Sequence, residues 1–193
     1  LGIGDDLEVA LAFGTGATVF ALGVDAAGRY IDGWCLVPGA SSPDGAVQAL
    51  SRTSTGEDLV LRIRLSALPA EVAKVVVCAD VAGGVQHVSG AELRLRNGDT
   101  PAATYPLAPA DFSVERAVIV GEIYQKGVWR VAAVGQGFAA GIAALLDAFS
   151  ARGAADLLAG AIAPPSPSPS PSPSPAPPAP LGAPEPSREV LPP

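Results

Sequence analysis

Proline divides this chain before any other feature does. Fourteen of its 20 prolines fall between Pro164 and Pro193, and the other six are spread over residues 1–163. Proline fixes φ near −65° and has no amide donor, so a run of alternating Pro and Ser can form neither a helix nor a central strand. The chain therefore reads as one domain, 1–163, followed by a disordered Pro/Ser-rich tail, 164–193. Such a tail favours extended polyproline II with a solvated backbone. It reads as a stiff spacer toward an unknown protein partner or a missing C-terminal domain. The same composition suits a ligand for proline-binding modules, or a glycosylated or phosphorylated stalk.

Charge narrows the partners. Residues 1–163 carry 11 Lys+Arg against 17 Asp+Glu, and the whole chain has a formal charge of −7. No basic run is present, so nucleic acid is not expected as a partner, because neutralising phosphates needs clustered Lys and Arg. No apolar stretch approaches the roughly 20 residues of a membrane-spanning helix. The opening residues lack the basic and apolar regions of a signal peptide. Met is absent even at position 1, which suggests a natural start further upstream. Cys35 and Cys78 lie among apolar neighbours and read as buried thiols rather than a bridge.

Within the domain the periodicity is mostly two. In Asp58–Leu65 (DLVLRIRL), Leu59, Leu61, Ile63 and Leu65 alternate with Arg62 and Arg64. That pattern marks a strand with one buried and one wet face. Glu92, Arg94 and Arg96 alternate with Leu93 and Leu95 in the same way. Val72–Ala79 (VAKVVVCA) is more continuously apolar, broken only by Lys74, the pattern of a central strand. Leu7–Phe13, Thr18–Val24, Tyr30–Val37, Thr104–Leu107, Arg116–Gln125 and Val128–Val134 complete the set, with turns at Asp25–Gly28, Asn97–Asp99 and Lys126–Gly127. Phe138–Ser150 places Ile142, Leu145, Leu146 and Phe149 on one helical stripe, Arg152–Gly153 reads as a stop, and a short helical turn is expected within Asp156–Ile162. Eight or nine short strands with turn signals predict an all-β fold, an antiparallel β-sandwich with a C-terminal α-helix. A β-barrel is the alternative.

Three apparent sites read as structural. Gly135–Gly141 (GQGFAAG) precedes a helix like a phosphate loop, but no Walker lysine follows and no βαβ unit surrounds it. His87 lies near Ser89 and Asp80 without a nucleophile elbow. Asp25, Asp32, Asp44, Glu57 and Asp58 occupy turns, where solvated carboxylates are the rule, and none forms an EF-hand loop. No nucleophile–base pair is visible, so an enzyme is not expected.

The stretch Gly121–Gly141 reads GEIYQKGVWRVAAVGQGFAAG. Its GEIY, GxWR and AVGQGF segments resemble the C-terminal signature of the TerD family, tellurium-resistance and stress-response proteins of bacteria. Ser42–Val47 (SPDGAV), Leu61–Leu65 (LRIRL) and Val88–Ala91 (VSGA) follow in the family's order, so the resemblance covers about residues 7–150. It implies a β-sandwich with a C-terminal helix and a non-catalytic, cytoplasmic protein whose acidic loops bind Ca²⁺.

The departures from the family pattern lie in those loops. Gly14–Thr18 (GTGAT) stands where the family has Asp-x-Asp-Ala-Ser. Leu36–Gly39 (LVPG) replaces a Tyr-Asn segment, and the family's opening strand is not found before Leu7. The second acidic loop is shortened to Ser51–Asp58, leaving Glu57 and Asp58. Residual metal candidates are Asp32, Glu57 and Asp58. The expected cofactor state is Ca²⁺ binding that is weakened or lost, because the site would rely on carbonyls and water. The alternative is a working Ca²⁺-binding stress protein built on the same residues.

Overall fold

The computed structural model describes residues 3–14, 16–51 and 56–162. The expectations for the tail, for the start of the chain and for positions 52–55 of the shortened loop lie outside the described residues.

Ten strands form two antiparallel sheets. They are β1 (Asp6–Ala12), β2 (Ala17–Val24), β3 (Tyr30–Leu36), β4 (Val47–Ser51), β5 (Leu59–Arg64), β6 (Lys74–Val81), β7 (Glu92–Asn97), β8 (Thr100–Pro106), β9 (Ala117–Lys126) and β10 (Val128–Phe138). Sheet I has the order β4-β5-β1-β7-β8 and sheet II the order β10-β9-β6-β2-β3. Two separate sheets make the fold a sandwich rather than a barrel.

Alternation sets the interior. Leu7, Val9 and Leu11 of β1 pair in register with Ile63, Leu61 and Leu59 of β5 and with Asn97, Leu95 and Leu93 of β7. These side chains meet Val19, Ala21, Val75, Val77, Val118 and Val120 of sheet II in the inter-sheet core. Odd and even positions alternate between faces, so Glu8, Arg62, Arg64, Arg94 and Arg96 turn outward from sheet I. Sheet II is covered on both sides. Its outer face supplies Phe20, Leu22, Cys35, Val76, Cys78 and Ile119 to a second apolar cluster. That cluster is closed by Leu145 and Leu146 of α1 (Ile142–Ala148) and Leu158 of α2 (Ala155–Ile162). Strand β6 is the middle strand of sheet II, which explains its unbroken apolar run.

Four sequence expectations are corrected. Strand β4 was missed, because five residues with one inward pair, Val47 and Ala49, leave too short a pattern to read. Strand β8 starts at Thr100 rather than Thr104. Strand β10 continues to Phe138, so the helix covers 142–148 instead of 138–150. The cause is a β-bulge between Ala133 and Gln136, with Gly135 at φ 69°. An inserted residue shifts the alternation by one and hides the strand's second half. Gly121 has a packing reason: a Cβ there would lie 2.6 Å from Leu93 Cδ2, across the two sheets. Arg152–Ala154 forms a 3₁₀ turn leading into α2 rather than a terminus.

Candidate functional site

The three metal candidates do not converge. Glu57 and Asp58 immediately precede β5, beside the end of β1. Asp32 is exposed on β3, in the other sheet, and its Oδ1 approaches Gly153 of the helical layer. The end of β3 nearer the β1–β2 loop is Leu36, which pairs with Ala21 in the middle of β2. Asp32 is four residues away along the strand, about 13 Å.

Glu57 and Asp58 each have protein partners. Asp58 Oδ2 accepts hydrogen bonds from the backbone amides of Phe13 and Gly14, both at 2.7 Å. The carboxylate thus ties the β1–β2 loop to the start of β5. Glu57 is buried, and its Oε1 accepts from Arg94 Nη1 at 2.7 Å. Arg94 Nη2 donates to Glu92 Oε1. One guanidinium therefore bridges two carboxylates, the charge-assisted geometry to which arginine is suited. Sequence periodicity identified Arg94 only as an outward strand residue; the partner that matters to it, Glu57, lies 37 residues away and left no local signal.

The described carboxylates of these loops are engaged by protein donors rather than gathered around one point. Ca²⁺ takes 6–8 oxygens at 2.3–2.6 Å. Here the two adjacent carboxylates are engaged by a guanidinium and by two amides, and a divalent ion brought to Glu57 would face the charge of Arg94. Among the described residues, no group of three or more His, Cys, Asp or Glu side chains is arranged to hold a metal.

The remaining turn carboxylates close their own turns. Asp25 Oδ1 accepts from the amides of Ala27 and Arg29, and these bonds with the Arg29 side chain hold its carboxyl below the ordinary range. Asp44 Oδ1 accepts from Ser42 Oγ at 2.7 Å and from the Ala46 amide at 2.8 Å.

The Gly135–Gly141 segment is strand, bulge and tight turn. At its end the first amide of α1, Ile142, donates to Asp80 Oδ1 at 3.0 Å. A carboxylate already occupies the position an anion would take there. Burial raises the Asp80 pKa, opposed by the Ile142 amide and by Arg116. His87 is exposed at the end of a 3₁₀ turn, with its ring Nε2 3.4 Å from Gln86 Nε2. No serine or carboxylate hydrogen-bonds to it among the described residues. Both cysteines are free and buried; desolvation pushes the Cys35 thiol up to about 11 and raises the Cys78 thiol well above its ordinary value.

Comparison with known proteins agrees with the GEIY–GxWR–AVGQGF signature. The model of the TerD domain matches residues 12–149. The tellurium resistance protein TerD of Serratia marcescens is 34% identical over 146 residues, covering 69% of this chain and 76% of that protein. General stress protein 16U of Bacillus subtilis (strain 168) is 36% identical over 103 residues, covering 49% of this chain and 53% of that protein. Among solved structures, a homologue of the telluride resistance protein TerD from Streptomyces coelicolor A3(2) superposes with a TM-score of 0.57. It shares 17% identity and covers 75% of this chain and 95% of that one. With the signature, the two-sheet architecture and a family match over most of the folded domain, this chain belongs to the TerD family.

Proposed function

We propose that this domain is a non-enzymatic, cytoplasmic stress-response or tellurium-resistance module that acts by binding or scaffolding, with Ca²⁺ binding weakened or lost. The observation that carries this reading is the Glu57–Arg94–Glu92 bridge, in which an internal cation neutralises carboxylates at the family's second acidic loop. Arg94 makes a metal redundant there. A fixed guanidinium stabilises Glu57 with no dependence on free ion concentration. The Asp58 bonds to Phe13 and Gly14 support the same reading, because they join the two loops through backbone amides. Two unpaired thiols suit a reducing compartment. Among the described residues no Ser or Cys side chain hydrogen-bonds to His87, so a nucleophile–histidine pair gives no support to a catalytic alternative.

Calorimetric titration of the full chain with CaCl₂ tests the reading. The expected result is no isotherm in the micromolar range, and Arg94→Ala is expected to increase the Ca²⁺ response by removing the positive charge beside Glu57 and Glu92. A micromolar or tighter isotherm in the unmodified chain would overturn the proposal and favour a working calcium-binding stress protein.

A further inference from the structure

One side of the sandwich is open. The edge strands β8 of sheet I and β10 of sheet II face each other across a groove of about 620 Å³. Buried Leu7 and Leu95 form its floor, and Tyr105, Tyr124, Val128 and Trp129 line its walls. Two further hollows share those walls. One of about 460 Å³ continues past Val128 and Trp129 to Leu65, and one of about 240 Å³ continues past Tyr105 to Phe112 and Val134. The three form a line of apolar and aromatic surface along the opening rather than a single closed pocket. Val128 is 64% and Val134 38% exposed, while Leu7 and Leu95 below are at most 5% exposed. The side chains of Trp129, Tyr105, Tyr124 and Arg130 make no hydrogen bond among the described residues.

We propose that this groove is the docking site for the chain's own Pro/Ser-rich segment, within residues 164–193. The chemistry is complementary. A polyproline II strand presents proline rings and backbone carbonyls but few N–H donors. Its preferred surface is an elongated groove of Trp and Tyr, whose faces pack the rings and whose N–H and O–H groups donate to the carbonyls. The groove supplies one indole N–H, two phenol O–H groups and the Arg130 guanidinium. The PSPSPSPSPSP repeat carries no charge, and its proline geometry favours the extended polyproline II form.

Reach is sufficient. The last described residue is Ile162, in the helical layer over sheet II, and 31 residues follow it. At 3.1 Å per residue they span about 96 Å. A five-stranded sheet is about 19 Å wide and an 11-residue strand about 37 Å long, so the segment's reach exceeds width and length taken together. Tethering supplies an effective concentration of about a millimolar, so a contact with an intrinsic Kd near 100 µM would be about 90% closed. Edge-to-edge pairing with a second copy is the competing occupant. The bulge at Val134–Gly135 interrupts the β10 edge, and such bulges disfavour a continuous intermolecular ladder.

The test replaces every proline from Pro164 to Pro180 with Gly or Ser in the full-length chain, leaving the folded domain untouched. Acrylamide quenching then reports Trp129, because Trp34 is 2% exposed and stays shielded in both proteins. The expected result is a roughly two-fold or greater increase in the quenchable component in the variant, with a red-shifted emission and no dependence on protein concentration. The same increase is expected from Tyr105→Ala in the native-tail chain if the tail is released. Equal quenching of the native-tail and replaced-tail proteins would overturn the proposal. Protection that rises with protein concentration would also overturn it, and would assign the groove to a second copy.

Discussion

The outer faces of the two sheets solve the same problem in opposite ways. On sheet I, Glu8 lies between Arg62 and Arg96, with Glu8 Oε2 3.3 Å from Arg62 Nε and Glu8 Oε1 3.7 Å from Arg96 Nε. Glu57, Arg94 and Glu92 continue this lattice of ion pairs toward the loop end. On sheet II the equivalent surface is apolar, and α1 and α2 close over it. A strand with one wet face needs strict alternation, whereas a strand covered on both faces does not. The difference teaches where perturbation is costly. Sheet I holds its outer side by partly exposed charges in high dielectric, and sheet II by area removed from water.

The sharpest way to break this comparison is Phe20→Ala. Phe20 is fully buried on the helical side of sheet II, and its loss is expected to cost about 3–5 kcal/mol in denaturant unfolding. A loss below about 1 kcal/mol would mean that the helices only rest on the sheet and are not part of its cooperative core.

A smaller effect is expected from Arg94→Ala. The Glu57 side chain is 10% exposed and would be left without its guanidinium. A loss of about 1–3 kcal/mol is expected, reduced by the 41% exposure of Arg94 itself. Arg62→Ala, on the same face but with a side chain 62% exposed, is expected to cost no more than about 0.5 kcal/mol. Equal losses for the two arginines would erase the distinction between the buried end of the lattice and its exposed middle.

The smallest effect concerns Asp80, at the margin of the covered sheet. Its pKa is raised, mainly by desolvation. Its ionised form is therefore penalised in the fold. The favourable contribution of the protonated form is complete below the unfolded-chain value and is lost as pH rises through the folded value. Asp80→Asn keeps an acceptor for the Ile142 amide and carries no charge. It is expected to be slightly more stable than the unmodified chain at neutral pH, the advantage shrinking as the medium is acidified. Thermal melts at several pH values measure this. Lower stability of the variant at neutral pH would mean that the bond from Ile142 to the ionised carboxylate outweighs its burial.

Much of the architecture was legible because the alternation is local. Leu59, Leu61 and Ile63 against Arg62 and Arg64 name both the buried and the wet face of β5 without reference to any other strand. The largely apolar stretch Val72–Ala79 likewise marks β6 as central before its neighbours are known. What escaped reading was interrupted periodicity: the Gly135 bulge hid the end of β10, and the brevity of β4 left no repeat to detect. The candidate site was less legible still. Glu57 and Asp58 are visible as acidic residues, but their partners are Arg94 and the amides of Phe13 and Gly14, 37 to 45 residues away. A carboxylate held by a guanidinium and one held by a cation look alike in one dimension.

By itself the sequence determined the partition at the proline boundary, the strand-rich character of the domain, which strands have a wet face and membership of the TerD family. Those properties follow from short-range chemistry: proline geometry, period-two burial, and a motif read within 21 residues. The tertiary structure decided that Asp32 is separated from Glu57 and Asp58, that Arg94 supplies the positive charge beside Glu57, and that Tyr105 and Trp129 share a groove. Each of these depends on which strands become neighbours. Strand order is set by the packing of whole faces against one another, and no local pattern carries that information.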